Sequence, residues 1–297
     1  MSAGPAIAPG RAAGGEPCVP GISPDIYSVA DFERVSRMIH AEAGIVIGDA
    51  KRMLVYSRLA PLVRESGLGA FSLFLDSLPQ QPQWRARTIA ALTTNHTYFN
   101  REPHHYEHFG LEVRPGLLKA LAAGQRVRLW SAACSSGEEV WTLAMTLLGP
   151  EKGPGLKLAG GNLRFLATDL APHAVARAVA AQYDPAALDP VPADLRKTWV
   201  AVRDGVATIS DDLRRLVSFR ELNLLGDWPM RGVFDAIFCR NVMIYFDVPT
   251  KERLIHRLAQ QLAPGGYLYI GHSERVSGPG SALLDIAGPT VYRRRAA

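Results

Sequence analysis

The chain has 297 residues, 47% hydrophobic and 21% charged, enough to bury the core of one large domain or two smaller ones. A net charge of +5 is too small by itself to specify nucleic acid. Cys18, Cys134 and Cys239 are too few and too scattered for a disulfide framework or a zinc site, and they suit a reducing cytosol. No apolar run has bilayer length, and the N-terminal stretch lacks the apolar segment of a signal peptide.

In chain order, residues 1–22 are Ala/Gly/Pro-rich, an extension expected to be disordered. From Ser28 to about Asn95 the pattern is helical, giving a small all-helical domain over 23–95. Ser28 is placed to cap a helix carrying Phe32, Val35, Met38 and Ile39 on one face. A second helix over 51–65 has Met53, Leu54, Leu59, Leu62 and Val63 as its apolar content, with Pro61 expected to kink or end it. Two more helices are expected over 70–78 and 83–93. After Arg126 short apolar runs alternate with helical stretches. Strands are expected over 127–130, 164–168, 217–221, 236–239 and 267–271, with helices near 138–148, 172–181 and 249–262. Strands separated by helices imply βαβ units and a doubly wound, mostly parallel α/β sheet over 96–297. Pro264-Gly265-Gly266 reads as a turn into the last of these strands, and the tail over 282–293 as a further, antiparallel one. Within about 185–220, two β-prone runs over 198–202 and 206–209 flank Asp204-Gly205, the pattern of a hairpin and hence of a small antiparallel β insertion.

The residues that carry chemistry fall at the expected strand ends. In an open α/β sheet, ligands bind beyond the carboxyl ends of the strands. FDAIFCRNVMIYF (234–246) runs from an apolar strand into Arg240 and Asn241, with Tyr245 a short turn later; the bland alternative is a solvated strand end. SAACSSGEE (131–139) offers small residues for a tight turn, then a helix N-terminus. It lacks the G-x-G-x-x-G dinucleotide fingerprint, which argues against NAD. Glu138 there suits a helix start or a ligand. Asp169 ends the second strand, where a carboxylate accepts ribose hydroxyls or caps the helix after Pro172. Asn223-Leu224 follows the third strand and suits the edge and face of an adenine-sized ring, or a plain turn before Gly226. The segment 93–103 joins the helical and α/β parts and is dense in hydroxyls, amides, a histidine and an arginine, and such junctions are preferred ligand sites. The eight histidines form no metal-ligand pattern, so no metal is expected; His272 sits just past a strand end, as a structural group or part of the site lining.

TTNHTYFNRE (93–102), SAACSSGEE (131–139), ATDL (167–170), ELNLL (221–225), FDAIFCRNVMIYF (234–246) and GHSE (271–274) together resemble the CheR family of chemotaxis protein methyltransferases, in order and spacing along most of 28–293. The resemblance implies a Rossmann-like methyltransferase sheet, S-adenosylmethionine as methyl donor, and chemoreceptor glutamates as acceptors. It implies cofactor contacts at Asn95, Thr97, Arg101, Glu138, Asp169, Asn223, Leu224, Arg240 and Asn241, with Arg101 and Tyr245 holding the acceptor. It implies a cytoplasmic monomer recruited to chemoreceptor arrays, neither inserted in the membrane nor bound to nucleic acid. The β insertion, and the basic residues Lys51, Arg52 and Arg58, are then places to meet acidic receptor helices; a solvated helix face is the plainer reading of the latter. Two positions depart from the family pattern: Asn100 stands where an aromatic or apolar residue is common, and Val140-Trp141 where a proline often follows the two glutamates.

Two other classes compete. A nucleic-acid methyltransferase would suit the pI near 9.2. Enzymes acting on base amines often carry an Asn/Asp-Pro-Pro-aromatic motif, and this chain has Arg240-Asn241-Val242-Met243 at that place. A binding-only scaffold is the second, and the intact Arg101, Asp169, Asn241 and Tyr245 argue against it.

Overall fold

The computed structural model describes residues 18–296. Of the extension read over 1–22, residues 1–17 lie outside the described residues; in the remainder the chain turns, and the side chains of Cys18 and Val19 are buried and anchor it. The chain forms two compact units that divide between Leu92 and Thr93.

The first unit is helical. α1 (Val29–Ala43) starts at Ser28, whose hydroxyl accepts the Asp31 N–H at 3.2 Å while the Asp31 carboxylate accepts the Ser28 N–H at 3.0 Å, a reciprocal capping box. Phe32, Val35 and Ile39 are buried, and Met38 only partly. α2 (Arg52–Glu65) runs through Pro61 without ending there. Pro61 is exposed, so the carbonyl one turn earlier that loses its helical N–H can turn to water. Val55, Leu59, Ala60 and Val63 face inward on α2, whereas Met53 and Leu54 are exposed, so the apolar content read there is split between two faces. α3 (Phe71–Ser77) and α4 (Pro82–Leu92) complete the unit, and the rings of Tyr27 and Phe71 pack with centroids 4.4 Å apart.

The second unit opens with α5 (Pro103–His108) and α6 (Arg114–Ala122). Then come β1 (Val127–Ala132), α7 (Glu138–Leu148), α8 (Lys152–Ala159), β2 (Leu163–Asp169) and α9 (Pro172–Ala180). The chain continues through β3 (Gln182–Tyr183), α10 (Ala193–Trp199), β4 (Val200–Arg203), β5 (Val206–Ile209) and α11 (Asp211–Arg214). It ends with β6 (Val217–Glu221), β7 (Phe234–Cys239), α12 (Val248–Gln261), β8 (Leu262–Ile270), β9 (Leu284–Gly288) and β10 (Val291–Arg294).

The main sheet has the order β6-β2-β1-β7-β8-β10-β9. Its first five strands pair in parallel, and β10 runs antiparallel to both β8 and β9. β1 and β7 at the centre are buried almost throughout, as a parallel sheet covered on both faces requires. The connection order reverses between β1 and β7, so the crevice at their carboxyl ends is the topological switch point.

Three details differ from expectation. Pro264-Gly265-Gly266 does not precede β8 but lies within it: Leu262 pairs with Phe234 and Tyr267 with Ala236, so the residues between are looped out of register. The tail forms two strands rather than one. In the three-stranded β3-β5-β4 sheet the hairpin turns at Asp204 and Gly205, both with positive φ as an Asp-Gly type I′ turn requires, but Thr198 and Trp199 end α10 instead of starting the strand. The Trp199 indole donates to the Gly149 carbonyl at 2.7 Å, and that buried anchor outweighs its β propensity.

Candidate functional site

The segment after β1 turns on small residues held in rare conformations. Ala133 (φ 64°), Ser135 (φ 50°) and Gly137 (φ 98°) are all left-handed. A Cβ on Gly137 would sit 2.9 Å from both the Ala178 methyl and the Trp141 indole nitrogen, so only glycine fits. The Asp169 carboxylate stabilises the turn: one oxygen accepts the Ser135 N–H at 2.8 Å, the other the Ala171 N–H at 2.9 Å. Asp169 therefore ties the ends of β1 and β2 together, and the residue that caps α9 is Ala171, not Asp169. Burial raises the Asp169 carboxyl above its ordinary range, partly offset by these N–H donors. Glu138 opens α7 with both carboxylate oxygens 2.9 Å from the Ser136 hydroxyl; burial raises it too.

The segment 95–102 lies across this turn. The Ser135 hydroxyl donates to the Asn95 carbonyl at 2.8 Å. Asn100 takes a left-handed conformation (φ 56°), which asparagine tolerates, and its amide donates to the Pro190 carbonyl at 2.8 Å. That is a use for asparagine at the position where the sequence departs from the expected aromatic or apolar residue. Arg101 donates to the His96 carbonyl at 2.9 Å and lies over the Tyr98 ring.

Beyond β7 the site is ionic. Arg240 is 6% exposed, which overturns the reading of a solvated strand end. Its guanidinium donates to the Tyr106 hydroxyl, Glu139 and Glu102, each at 3.1 Å, and to the Arg101 carbonyl. Those bonds occupy both terminal nitrogens. Burial raises the Glu139 carboxyl; Arg240 and the Ser131 hydroxyl, 2.6 Å away, pull it back only in part. For Glu102 the balance is reversed. Burial alone would raise it, but Arg240, His272 and Asn241 together hold it at about 2. Glu102 accepts from the Asn241 amide at 3.1 Å and contacts the His272 ring nitrogen at 2.8 Å. Glu274 organises the same loops through the backbone, accepting the N–H groups of Gly271 (2.6 Å), Met243 (2.8 Å) and Asn241 (3.2 Å).

The fold thus brings Asn95, Arg101, Glu138, Asp169, Arg240 and Asn241 to the switch point. Asn223 and Leu224 follow β6 at the neighbouring strand end, where the Asn223 side chain accepts the Leu225 N–H at 2.9 Å and the Leu224 carbonyl accepts from Arg257. Thr97 and Tyr245 are partly exposed, Tyr245 in a short turn after β7, and among the described residues no hydrogen bond joins Tyr245 to Arg101. In the first unit Lys51 is exposed, but Arg52 pairs with Asp49 at 3.3 Å and Arg58 donates to the Leu92 carbonyl at 3.0 Å. Sequence reasoning gave no role to Glu102, Tyr106, Glu139 or Glu274. One signal was available: an arginine directly after a buried apolar strand is itself buried and requires carboxylate partners.

A family model described as the CheR methyltransferase SAM-binding domain matches residues 95–289, and one described as the CheR all-alpha domain matches 30–93. The chain belongs to the CheR methyltransferase family. It is 42% identical over 262 residues to a probable chemotaxis protein methyltransferase of Rhizobium etli, covering 86% of this chain and 96% of that one. It is 37% identical to chemotaxis protein methyltransferase 2 of Pseudomonas aeruginosa (90% and 93% covered) and 36% to the Escherichia coli chemotaxis protein methyltransferase (89% and 91%). A CheR protein takes S-adenosylmethionine, and the residues present fit that group. The Asn95 amide nitrogen is buried with no partner, and each Asp169 oxygen accepts one backbone N–H, leaving acceptor capacity for hydroxyls. Among the described residues no helix is long and apolar enough to cross a membrane.

Proposed function

We propose that this CheR protein methylates glutamate side chains on the cytoplasmic helices of chemoreceptors, giving glutamate methyl esters, in sensory adaptation of a chemotaxis or related pathway. The observation that carries the reading is the convergence of the 95–102 segment with the ends of β1, β2 and β7. The relatives' names as chemotaxis protein methyltransferases support the pathway. We assign the cofactor to Asn95, Thr97, Arg101, Glu138, Asp169, Asn223, Leu224, Arg240 and Asn241, and the acceptor to Arg101 and Tyr245.

When bound, S-adenosylmethionine supplies an electrophilic sulfonium methyl and leaves as S-adenosylhomocysteine. The residues do the rest. A glutamate acceptor is ionised near pH 7, so no general base is needed. Arg101 orients the incoming carboxylate without fully quenching its charge, and the Tyr245 hydroxyl adds a hydrogen bond. Asp169 and Asn95 fix the nucleoside side of the cofactor so that oxygen, carbon and sulfur align. Arg240, its terminal nitrogens already committed, holds the Arg101 main chain more than it touches ligand.

The enzyme acts in the cytoplasm as a monomer recruited to receptor arrays. Docking uses Lys51 and its basic neighbours Arg52 and Arg58, and the β insertion, whose Val202 is 59% exposed. The test is transfer of labelled methyl from S-adenosylmethionine to a purified receptor cytoplasmic fragment. Base-labile label that vanishes when the methylation-site glutamates become alanine supports the reading; no label despite cofactor binding overturns it. Arg101→Ala should lower turnover about 10²-fold, as loss of one oriented donor does. Wild-type turnover would remove Arg101 from the mechanism.

A further inference from the structure

Glu102 is the residue through which the separate parts of this site meet. It sits between Arg101 and Pro103 with φ 57° and ψ 66°, left-handed at a position where a following proline already restricts the chain. Such a conformation persists only where the surroundings over-determine it. The determinants are visible. One carboxylate oxygen takes the Asn241 amide at 3.1 Å, the His272 N–H at 3.2 Å and the His272 ring nitrogen at 2.8 Å. The other takes Arg240 at 3.1 Å, with the buried His105 ring nitrogen 3.4 Å away. Asn241 follows β7 and is itself left-handed (φ 59°), and His272 follows β8. A side chain needed only to neutralise Arg240 would not reach both strand ends, and Glu139 already pairs with that guanidinium.

We propose that Glu102 is a positioning residue for methyl transfer: it sets the spacing between the segment carrying Asn95, Thr97 and Arg101 and the ends of β7 and β8, and acts on the cofactor through Asn241. This rests on the assignment of Asn241 to the cofactor. The charge-assisted bond from the Asn241 amide to Glu102, 3.1 Å long, holds that amide in one rotamer, with little freedom to lose when ligand arrives. A glutamine at 102 keeps the reach but directs an N–H₂ group at a donor on one side.

The test uses the full chain and S-adenosylhomocysteine as calorimetric probe, with Glu102→Gln, Asn241→Gly and the double variant. Glycine removes the amide while tolerating the left-handed backbone. Glu102→Gln should weaken binding about tenfold, raise the KM for S-adenosylmethionine and lower kcat. The double variant should bind within about twofold of Asn241→Gly alone, because the two residues act in series. A purely structural glutamate would give multiplying losses, and that result overturns the proposal. Asn241→Gly binding at wild-type affinity overturns both the assignment and the proposal. Weakened binding in Asn241→Gly with wild-type binding in Glu102→Gln overturns the proposal alone. Should Glu102→Gln not fold, His272→Ala carries the test, since that side chain is 70% exposed. A several-fold weaker affinity that disappears in the Asn241→Gly background supports positioning, and wild-type affinity sinks it.

Discussion

The two sides of the switch point solve one problem with different chemistry. On the β1–β2 side a carboxylate, Asp169, is held by backbone N–H groups and the turn is built from small residues in left-handed conformations. On the β7–β8 side a buried guanidinium, Arg240, is shared by Glu102 and Glu139. Backbone donors carry no net charge, so the first side leaves an anion with spare acceptor capacity for a ligand's hydroxyls. The second satisfies its charges internally and leaves amides and a main chain in fixed places. Under the proposed function the first side recognises the cofactor and the second aligns the reacting groups.

The largest effect should come from breaking the ionic side. Arg240→Met leaves two buried carboxylates without a cation and should cost about 3–5 kcal/mol in urea unfolding. Adding Glu102→Gln and Glu139→Gln should return most of that stability, since a neutral cluster has no uncompensated charge, but should not return methyl transfer. Full activity in the triple variant would show that the charges have no aligning role. On the other side, Asp169→Asn turns one acceptor into a donor facing a backbone N–H, at about 2–3 kcal/mol. It should also weaken S-adenosylhomocysteine binding at least tenfold; unchanged binding would separate Asp169 from the cofactor. Smaller still, Glu274→Gln should cost about 1–2 kcal/mol, because the amide oxygen can keep the Asn241 and Gly271 N–H groups, which share one carboxylate oxygen, while its N–H₂ group faces only the Met243 N–H.

The recognition side was legible in the sequence, the aligning side much less so. A small-residue turn after an apolar strand, and an acid ending the next strand, are local patterns, and they point to Asp169 and to the turn over 131–137. The parallel sheet followed from strands spaced by helices, while the paired strands of the tail and the looped-out residues within β8 depend on register between distant segments. Arg240 and Asn241 were visible at a strand end, but their partners lie far away in sequence: Glu102 is 138 positions from Arg240 and 170 from His272. No local period records such a contact. It follows from burial, because a charge at the end of a buried strand demands a counter-charge from whichever segment the fold brings there.

Titration should separate the two sides without any ligand. The Glu102 carboxyl, held at about 2 in the folded state, lies below its unfolded value near 4.5, so its stabilisation is full above that value and is lost as pH falls towards 2. Asp169 is shifted the other way by burial, so it takes up its proton before the unfolded chain does, and the cost of keeping it ionised disappears as pH falls. Urea midpoints measured from pH 7 downwards for the wild type, Glu102→Gln and Asp169→Asn therefore have a required order. The wild type should first gain stability relative to Asp169→Asn, above the ordinary carboxylate range, because the native acid takes up its proton before the unfolded chain does and the amide cannot. The gap to Glu102→Gln should persist through that range and shrink only below about pH 4.5. A Glu102→Gln gap that shrinks before the wild type gains on Asp169→Asn would mean that Arg240 does not hold Glu102 ionised, and the ionic side would then be no more preorganised than the backbone-held one.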